Sequence, residues 1–283
     1  MSSAPPRILC VGTHHKTGTV WMRRVWRLIG EALDIPFVPV HNPAKWDKIP
    51  ATGRVIVVNW ASAFAPDLFE QPDARFLHII RDPRDVLLSG ARYHENSPGR
   101  QERFLHGPRD DLGGKSYQQH LQALPTQEAK LDFEMQNMHL QVVKEMLAWP
   151  YGHARAMDLR YEDLIEDHDC ALFIGVLRFF GFDQAEIEVA RQIYYDNSLF
   201  GGLSPDGGTG RTATHVSSGK AEQWPAKLPR HTAERYLERH GDDLIALGYE
   251  RDTSWLARLA PAEETTSDDG DGLTAPQQSE NVA

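Results

Sequence analysis

The stretch that most constrains the fold lies at residues 7–33, where an apolar run, a polar turn and an amphipathic segment follow one another. Residues 8–11, Ile-Leu-Cys-Val, are all apolar, which is typical of a strand buried on both faces of a parallel sheet. Beyond the turn, apolar side chains recur three and four residues apart, which predicts a helix with one apolar face. They are Trp21, Val25, Leu28, Ile29, Ala32 and Leu33.

Strand and helix patterns alternate along the rest of the chain. Residues 55–58, 75–80 and 154–159 predict further strands, with helical periodicity between them. This order predicts an α/β fold of three layers, with helices on both faces of a central parallel sheet. We expect a single domain over residues 1–261. Residues 126–149 are predicted to form one long helix, and the polar residues 95–125 a long segment without regular structure.

The composition narrows the class of protein. The chain of 283 residues carries a formal net charge of −10, which argues against general nucleic-acid binding. Residues 262–283 contain six acidic and no basic side chains and read as a disordered acidic tail. No apolar run is long enough to span a membrane, and the first residues lack a signal-peptide core. Only two cysteines occur, Cys10 and Cys170, both in apolar surroundings, which favours a reduced, cytoplasmic compartment.

The turn after the first strand has the chemistry of an anion site. It contains Lys16, Thr17, Gly18 and Thr19 directly before the predicted helix. Free amides at a helix N-terminus, a lysine charge, two hydroxyls and a glycine together favour phosphate. The spacing departs from the nucleoside-triphosphate loop, in which the lysine follows a glycine and precedes Ser or Thr. The alternative is an ordinary corner between a strand and a helix.

A second pattern follows the strand at residues 75–80. Arg81 stands at the carboxyl end of that strand and Ser89 lies eight residues further on. Ligands of open α/β sheets bind at this end of the strands, and an arginine with a hydroxyl suits a phosphate. The alternative is that Arg81 pairs with Asp82 or Asp85 at the start of a helix.

These motifs resemble those of the sulfotransferases that use 3′-phosphoadenosine 5′-phosphosulfate (PAPS). In that family Lys-Ser/Thr-Gly-Thr holds the 5′-phosphosulfate end, and an arginine and a serine eight residues apart hold the 3′-phosphate. The resemblance implies a P-loop-NTPase-like sulfotransferase fold. It assigns Lys16, Thr17, Gly18 and Thr19 to the first phosphate and Arg81 and Ser89 to the second.

Further matches follow in family order between Lys16 and Trp224. Trp21 corresponds to the tryptophan that stacks on adenine, and Tyr161 begins a Tyr-Glu-Asp-Leu sequence common in the family. The late Arg-Lys-Gly…Gly-x-Trp motif is only partly present. Its positions include Ser217, Ser218, Gly219 and Lys220, where hydroxyls and amides replace part of the charge.

The resemblance also implies a mechanism, with one gap. Lys16 would neutralise the oxygen that leaves with the 5′-phosphate. The histidine that serves as base in cytosolic members corresponds to Asn59, and an amide cannot act as a base at neutral pH. His15, beside Lys16, is the replacement that we consider first.

The sequence thus predicts an enzyme that transfers a sulfuryl group to a hydroxyl or amine of a small molecule or carbohydrate, with no metal required. A P-loop kinase for a small molecule is one alternative. A non-catalytic nucleotide-binding protein on the same fold is the other. The acceptor and the oligomeric state are not encoded in any motif that we find.

Overall fold

The computed structural model describes residues 5–97, 102–203 and 220–261. Its strands are β1 (Ile8–Gly12), β2 (Phe37–Pro39), β3 (Val55–Asn59), β4 (Ala74–Ile80) and β5 (Ala156–Arg160). Its helices are α1 (Thr19–Ala32), α2 (Pro66–Glu70), α3 (Pro83–Asn96), α4 (Arg103–His106), α5 (Tyr117–Ala123), α6 (Gln127–Gln136), α7 (Met138–Leu147), α8 (Tyr161–Ile165), α9 (Ala171–Phe179), α10 (Gln184–Asp196), α11 (Trp224–Lys227) and α12 (Arg230–Ala246). Short 3₁₀ helices cover Pro43–Lys48, Asp110–Leu112 and Thr253–Arg258.

The five strands form one parallel sheet in the order β2-β3-β1-β4-β5. The central strand β1 pairs with β3 on one side, where Gly12 lies opposite Asn59. It pairs with β4 on the other side, where Gly12 lies opposite His78. The segments that follow β1, β3 and β4 therefore leave the sheet at the same edge.

Both faces of the sheet are covered by apolar packing. Leu9 and Val11 of β1 pack with α1, α9 and α10, in a core that includes Trp26 and Phe173. The alternate residues Ile8 and Cys10 pack on the opposite face with Phe64, Phe76 and Trp149. A strand that is apolar at every position suits this double burial, so the predicted three-layer α/β architecture is confirmed.

Two segments of the chain differ from the structure predicted from the sequence. The segment 95–125 is not structureless where it is described, because α4, a 3₁₀ turn and α5 lie within it. Leu105, Tyr117 and Leu121 are buried together there, and Ser116 and Gln119 cap α5 reciprocally. An irregular segment could not bury these side chains without also burying unpaired backbone groups.

The predicted long helix at residues 126–149 is two helices. The chain breaks at Asn137, whose φ of −118° and ψ of −108° are not helical. Its amide side chain donates to the carbonyl of Phe133 and so satisfies a group at the end of α6. The apolar periodicity continues across the break, which is why the sequence pattern did not reveal it. The predicted disordered tail, residues 262–283, lies outside the described residues.

Candidate functional site

The candidate site lies at the carboxyl edge of the sheet, around the loop that joins β1 to α1. This loop, residues 13–18, carries Lys16. Arg81 follows β4 directly and Tyr161 follows β5, so residues from three strand ends meet here. Such an edge is the usual ligand site of open α/β sheets.

The loop is held in a tight conformation by its own hydroxyls. The carbonyl of His14 accepts hydrogen bonds from the Thr17 hydroxyl at 2.9 Å and from the Thr19 hydroxyl at 2.6 Å. The Thr17 hydroxyl also accepts from the amide of His14 at 2.8 Å. Both threonines therefore shape the loop, and their hydroxyls are engaged within it.

Gly18 occupies a position that other residues would strain. Its φ is +92°, and a Cβ added there would lie 3.0 Å from Cδ2 of Tyr161. Lys16 also has a positive φ, +66°. Since α1 begins at Thr19 without a side-chain cap and without an acidic residue in its first turn, its first amides remain available to an anion.

The Lys16 ammonium lies inside the site. It packs over the ring of Tyr93, with 4.1 Å from Nζ to the ring centroid. Burial, with a smaller contribution from the nearby Arg81 charge, lowers the pKa of Lys16 to about 8, while Glu102 opposes the shift. A desolvated ammonium of this kind interacts strongly with an incoming anion.

Arg81 joins the first and second motifs. Its guanidinium donates to the carbonyl of Lys16 at 3.2 Å and to the carbonyl of Lys220 at 3.3 Å. It also lies over the ring of Tyr161, 4.5 Å from the centroid, and 3.6 Å from the carboxylate of Asp85. The helix-start pairing that the sequence left open is therefore present as a loose contact. It does not occupy the whole guanidinium, because Arg81 Nε is buried without a hydrogen-bond partner among the described residues.

Of the other predicted residues, Ser89, Trp21 and Tyr161 lie in the described part of the chain. Ser89 lies on α3, one helical turn beyond Asp85, and is half-buried. Trp21 stacks on Tyr194 at 5.4 Å and meets the edge of Tyr161 at 6.4 Å. Ser217, Ser218 and Gly219 lie outside the described residues.

Lys220 is the first residue of the late motif that the structure describes. Its side chain is exposed, and its carbonyl accepts from Arg81 and from the side chain of Gln223. Trp224 is buried, and the Arg84 guanidinium stacks on its ring at 3.7 Å. The described end of this motif therefore lies against α3, next to Arg81.

A cavity of about 220 Å³ adjoins the lysine loop. Its lining includes His15, the residue before Lys16, and Asn59 and Trp60 at the end of β3. Gln141 and Glu145 of α7 also line it, and both residues line a second, open groove along that helix.

Asn59 holds the turn that follows β3. Its side-chain amide donates to the carbonyls of Val40 at 2.8 Å and Ala63 at 3.1 Å. Its side-chain oxygen accepts from the amides of Ala61 at 2.9 Å and Ala63 at 3.0 Å. All of these contacts serve the backbone, so Asn59 has a structural role, in agreement with the expectation that it cannot act as a base.

His15 is packed against a second histidine beside the lysine loop. Its ring stacks on His94 at 4.8 Å, and its Nε2 is buried without a hydrogen-bond partner in the described ranges. Burial, followed by the neighbouring His94 and Lys16, lowers the pKa of His15 well below its usual range. A proton placed on His15 would therefore be disfavoured by desolvation and by the adjacent ammonium.

His15, His94 and Glu102 are also the residues that could hold a metal ion. One donor atom from each lies within 4.8 Å of the others, and Nδ1 of His94 is oriented by the carboxylate of Glu134 at 2.9 Å.

A row of polar side chains that no sequence motif indicated runs from Glu145 in the cavity wall through two buried histidines to Asp158. His14 and His78 are fully buried, with their Nε2 atoms 2.9 Å apart. Nδ1 of His78 lies 3.1 Å from the carboxylate of Asp158. On the other side, Nδ1 of His14 faces Glu145 at 3.7 Å. The available signal was His78 itself, a titratable residue between the apolar residues Leu77 and Ile79 of β4.

Comparison with known proteins defines the class of fold. No protein-family profile and no curated protein sequence matches the chain. Among solved structures, the mouse sulfotransferase SULT7A1 complexed with PAP covers 86% of this chain and 84% of its own, at 15% identity and a TM-score of 0.56. Retinol dehydratase in a complex with retinol and PAP matches with 15% identity, 86% and 82% coverage and a TM-score of 0.53.

A second retinol dehydratase structure, in complex with androsterone and inactive cofactor PAP, matches at 14% identity and a TM-score of 0.51 over 86% and 82% of the two chains. The chain therefore has the fold of the sulfotransferases, as the motif resemblance implied. Within the described residues, no helix is both long and apolar enough to cross a membrane.

Proposed function

We propose that this protein is a sulfotransferase that moves a sulfuryl group from PAPS to a hydroxyl or amine of a small molecule or carbohydrate. The observation that carries the proposal is the hydrogen bond from Arg81 to the carbonyl of Lys16 at 3.2 Å. It joins two phosphate-type motifs that lie far apart in the chain into one cationic site. The solved proteins with this fold were crystallised with PAP, which supports the same class of nucleotide here.

In the proposed complex the nucleotide spans the two motifs. The first amides of α1 and the loop residues Thr17, Gly18 and Thr19 would hold the 5′-phosphate, with the threonine hydroxyls turning outward from the His14 carbonyl. Lys16 would stabilise the charge on the oxygen that leaves sulfur. The aromatic pair Trp21 and Tyr161 offers a surface for adenine. Arg81, Ser89 and the late residues Ser217, Ser218, Gly219 and Lys220 would hold the 3′-phosphate.

The transfer itself needs positioning and charge stabilisation more than covalent help from the protein. The acceptor oxygen attacks sulfur in line with the bond to the phosphate oxygen. That bond breaks, and the electron pair stays on the phosphate next to Lys16. The proposed donors are cations, hydroxyls and amides, so we propose a site that needs no metal.

The acceptor would enter through the cavity beside the lysine loop. This cavity, of about 220 Å³, is smaller than a typical ligand pocket, so it would hold a small acceptor or only the reacting part of a larger one. The molecules bound in the two retinol dehydratase structures, androsterone and retinol, favour small alcohols as the first acceptors to test. The cysteines Cys10 and Cys170 are free and buried, which supports a reduced compartment such as the cytoplasm.

Calorimetric titration with 3′-phosphoadenosine 5′-phosphate (PAP) tests the nucleotide site. We expect PAP to bind the wild type, and Arg81→Ala to weaken binding by about ten- to a hundredfold, as the loss of a charge-assisted contact predicts. Arg92→Ala is the matched control, because Arg92 lies on the same helix with an exposed side chain. It should bind as the wild type does.

ATP with magnesium separates the alternatives. If ATP binds more tightly than PAP and needs magnesium, the kinase alternative is favoured and the proposal fails. If PAP binds but no acceptor receives sulfuryl from PAPS, the non-catalytic alternative is favoured.

A further inference from the structure

The contacts in the row from Asp158 to Glu145 determine which ring nitrogen of each histidine carries the proton. At one end, the Asp158 carboxylate accepts the indole N–H of Trp149 at 2.7 Å and lies 3.1 Å from Nδ1 of His78. An ionised carboxylate can only accept, so the hydrogen in the second contact belongs to His78. Nδ1 of His78 is therefore the protonated nitrogen of that ring.

The proton position on His78 determines the proton position on His14. Burial lowers the pKa of His78 to about 4 and also lowers that of His14, so both imidazoles are neutral at physiological pH. With its proton on Nδ1, His78 offers a lone pair at Nε2. The contact of 2.9 Å between the two Nε2 atoms then requires His14 to donate from Nε2. His14 is left with a lone pair on Nδ1.

That lone pair faces Glu145. Nδ1 of His14 is buried and has no hydrogen-bond partner within the described residues, and the nearer Glu145 oxygen, Oε2, lies 3.7 Å away. The other oxygen, Oε1, accepts from the side chain of Gln141 at 2.8 Å. A lone pair and a carboxylate repel each other, which accounts for the gap. A protonated Glu145 could close it by donating to His14.

From this arrangement we propose that Glu145 accepts the proton of the acceptor hydroxyl, and that His14, His78 and Asp158 position and stabilise its protonated form. The inference rests on the proposed sulfuryl transfer. As the acceptor oxygen bonds to sulfur, its proton moves to Oε2 of Glu145, while the bond from sulfur to the 5′-phosphate oxygen breaks. The protonated carboxyl then gains a hydrogen bond to Nδ1 of His14 that the carboxylate cannot make.

The position and charge of Glu145 suit this role better than those of His15. Both residues line the cavity beside the lysine loop. Proton transfer to His15 would create a cation next to Lys16, whereas Glu145 would only lose its negative charge. Glu145 is also partly open to solvent, with 23% of its side chain exposed, so the proton can leave after transfer.

The test compares phenols of different acidity as acceptors, with PAP formation from PAPS as the readout. At mildly alkaline pH, 4-methoxyphenol keeps its proton, whereas 4-nitrophenol is already ionised and needs no base. We expect Glu145→Gln to lower turnover of 4-methoxyphenol by about a hundredfold or more and to leave 4-nitrophenol within a few-fold of wild type. A purely structural role would lower both rates by the same factor.

Two further variants make the test specific. Asp158→Ala should give the same selective loss, because it removes the oxygen that holds the His78 proton on Nδ1, and the partly exposed site tolerates the change. Glu188→Gln, on the exposed face of α10, is the control and should change neither rate. A selective loss in His15→Ala but not in Glu145→Gln would overturn the inference.

Calorimetry with PAP separates failure of this inference from failure of the proposed function. If the wild type does not bind PAP, the proposed function fails. If all variants bind PAP as the wild type does, and Glu145→Gln changes the turnover of both phenols equally or of neither, only the inference fails.

Water is present as an acceptor in every assay. If the wild type binds PAP but passes sulfuryl to neither phenol nor water, the inference is overturned.

Discussion

The carboxylate of Asp85 accepts a hydrogen bond from the backbone amide of Trp224 at 3.0 Å. The amide of Gln223 donates to the same oxygen at 3.0 Å, so one buried side chain of α3 fixes the start of α11. This contact secures the end of the late motif beside Arg81, whose guanidinium reaches the carbonyl of Lys220. Asp85, four residues after Arg81, thereby positions the end of the late motif.

Removal of the Asp85 carboxylate should therefore destabilise the protein. We expect Asp85→Ala to lower the free energy of unfolding by about 2–4 kcal/mol, because buried amides lose their acceptor and Arg81 loses a nearby charge. Asp85→Asn keeps one acceptor oxygen and should lower the free energy of unfolding by less.

Urea unfolding measures the stability of both variants. The control is Asp242→Ala, an exposed position on α12. Equal stability of the Asp85→Ala and Asp242→Ala variants would contradict this role.

Gly18 should be required for nucleotide binding as well as for stability. Its φ of +92° is costly for alanine, and the new Cβ would lie 3.0 Å from Tyr161. We expect Gly18→Ala to lower the free energy of unfolding by about 1–2 kcal/mol or more and to weaken PAP binding.

Gly114→Ala is the matched control for that substitution. Its φ is also positive, +81°, but a Cβ there has no neighbour within 4 Å. It should show the backbone penalty in urea unfolding and bind PAP normally. Unchanged PAP affinity in the Gly18→Ala variant would show that the loop tolerates a displaced Tyr161.

The affinity for PAP should depend on pH through Lys16. Its pKa is lowered to about 8 by burial and then by Arg81, so the free protein loses this charge as the pH rises through about 8. A bound polyanion favours the charged form, so binding takes up a proton above this pH. Affinity should fall above about pH 8, by at most about tenfold per pH unit.

Calorimetric titrations in buffers with different heats of ionisation measure this proton uptake directly. Lys16→Arg keeps its charge throughout the range, so its affinity should not fall in the same window. If the wild type and this variant show the same pH profile, another group is responsible.

Removal of metal should leave PAP binding unchanged. The proposed phosphate ligands are amides, hydroxyls and cations, none of which needs a divalent ion. The measurement is PAP titration before and after dialysis against EDTA, with metal content determined by mass spectrometry. A loss of affinity reproduced by His94→Ala would instead assign an ion to His15, His94 and Glu102.

Local patterns were sufficient to predict the α/β alternation. The strands β1, β3 and β4 are apolar at nearly every position, which requires cover on both faces, and the turn chemistry around Gly18 and Asp82 marks where helices begin. The same patterns placed Lys16 and Arg81 at strand ends. Parallel pairing brings those ends to one edge of the sheet, so their proximity could be expected from sequence.

Other features depended on contacts between distant residues. The break at Asn137 leaves the apolar periodicity intact, and the helices within residues 95–125 depend on the burial of Leu105 and Tyr117 against later parts of the chain.

The row from Asp158 to Glu145 shows most clearly what only the tertiary structure decided. Its residues come from β5, β4, the loop after β1, and α7, so no sequence spacing relates them. The sequence by itself determined the element types and the phosphate-type motifs, because these depend on local side-chain chemistry and periodicity. The tertiary structure decided which histidine faces which carboxylate and how deeply each is buried, because strand order and helix packing determine those distances.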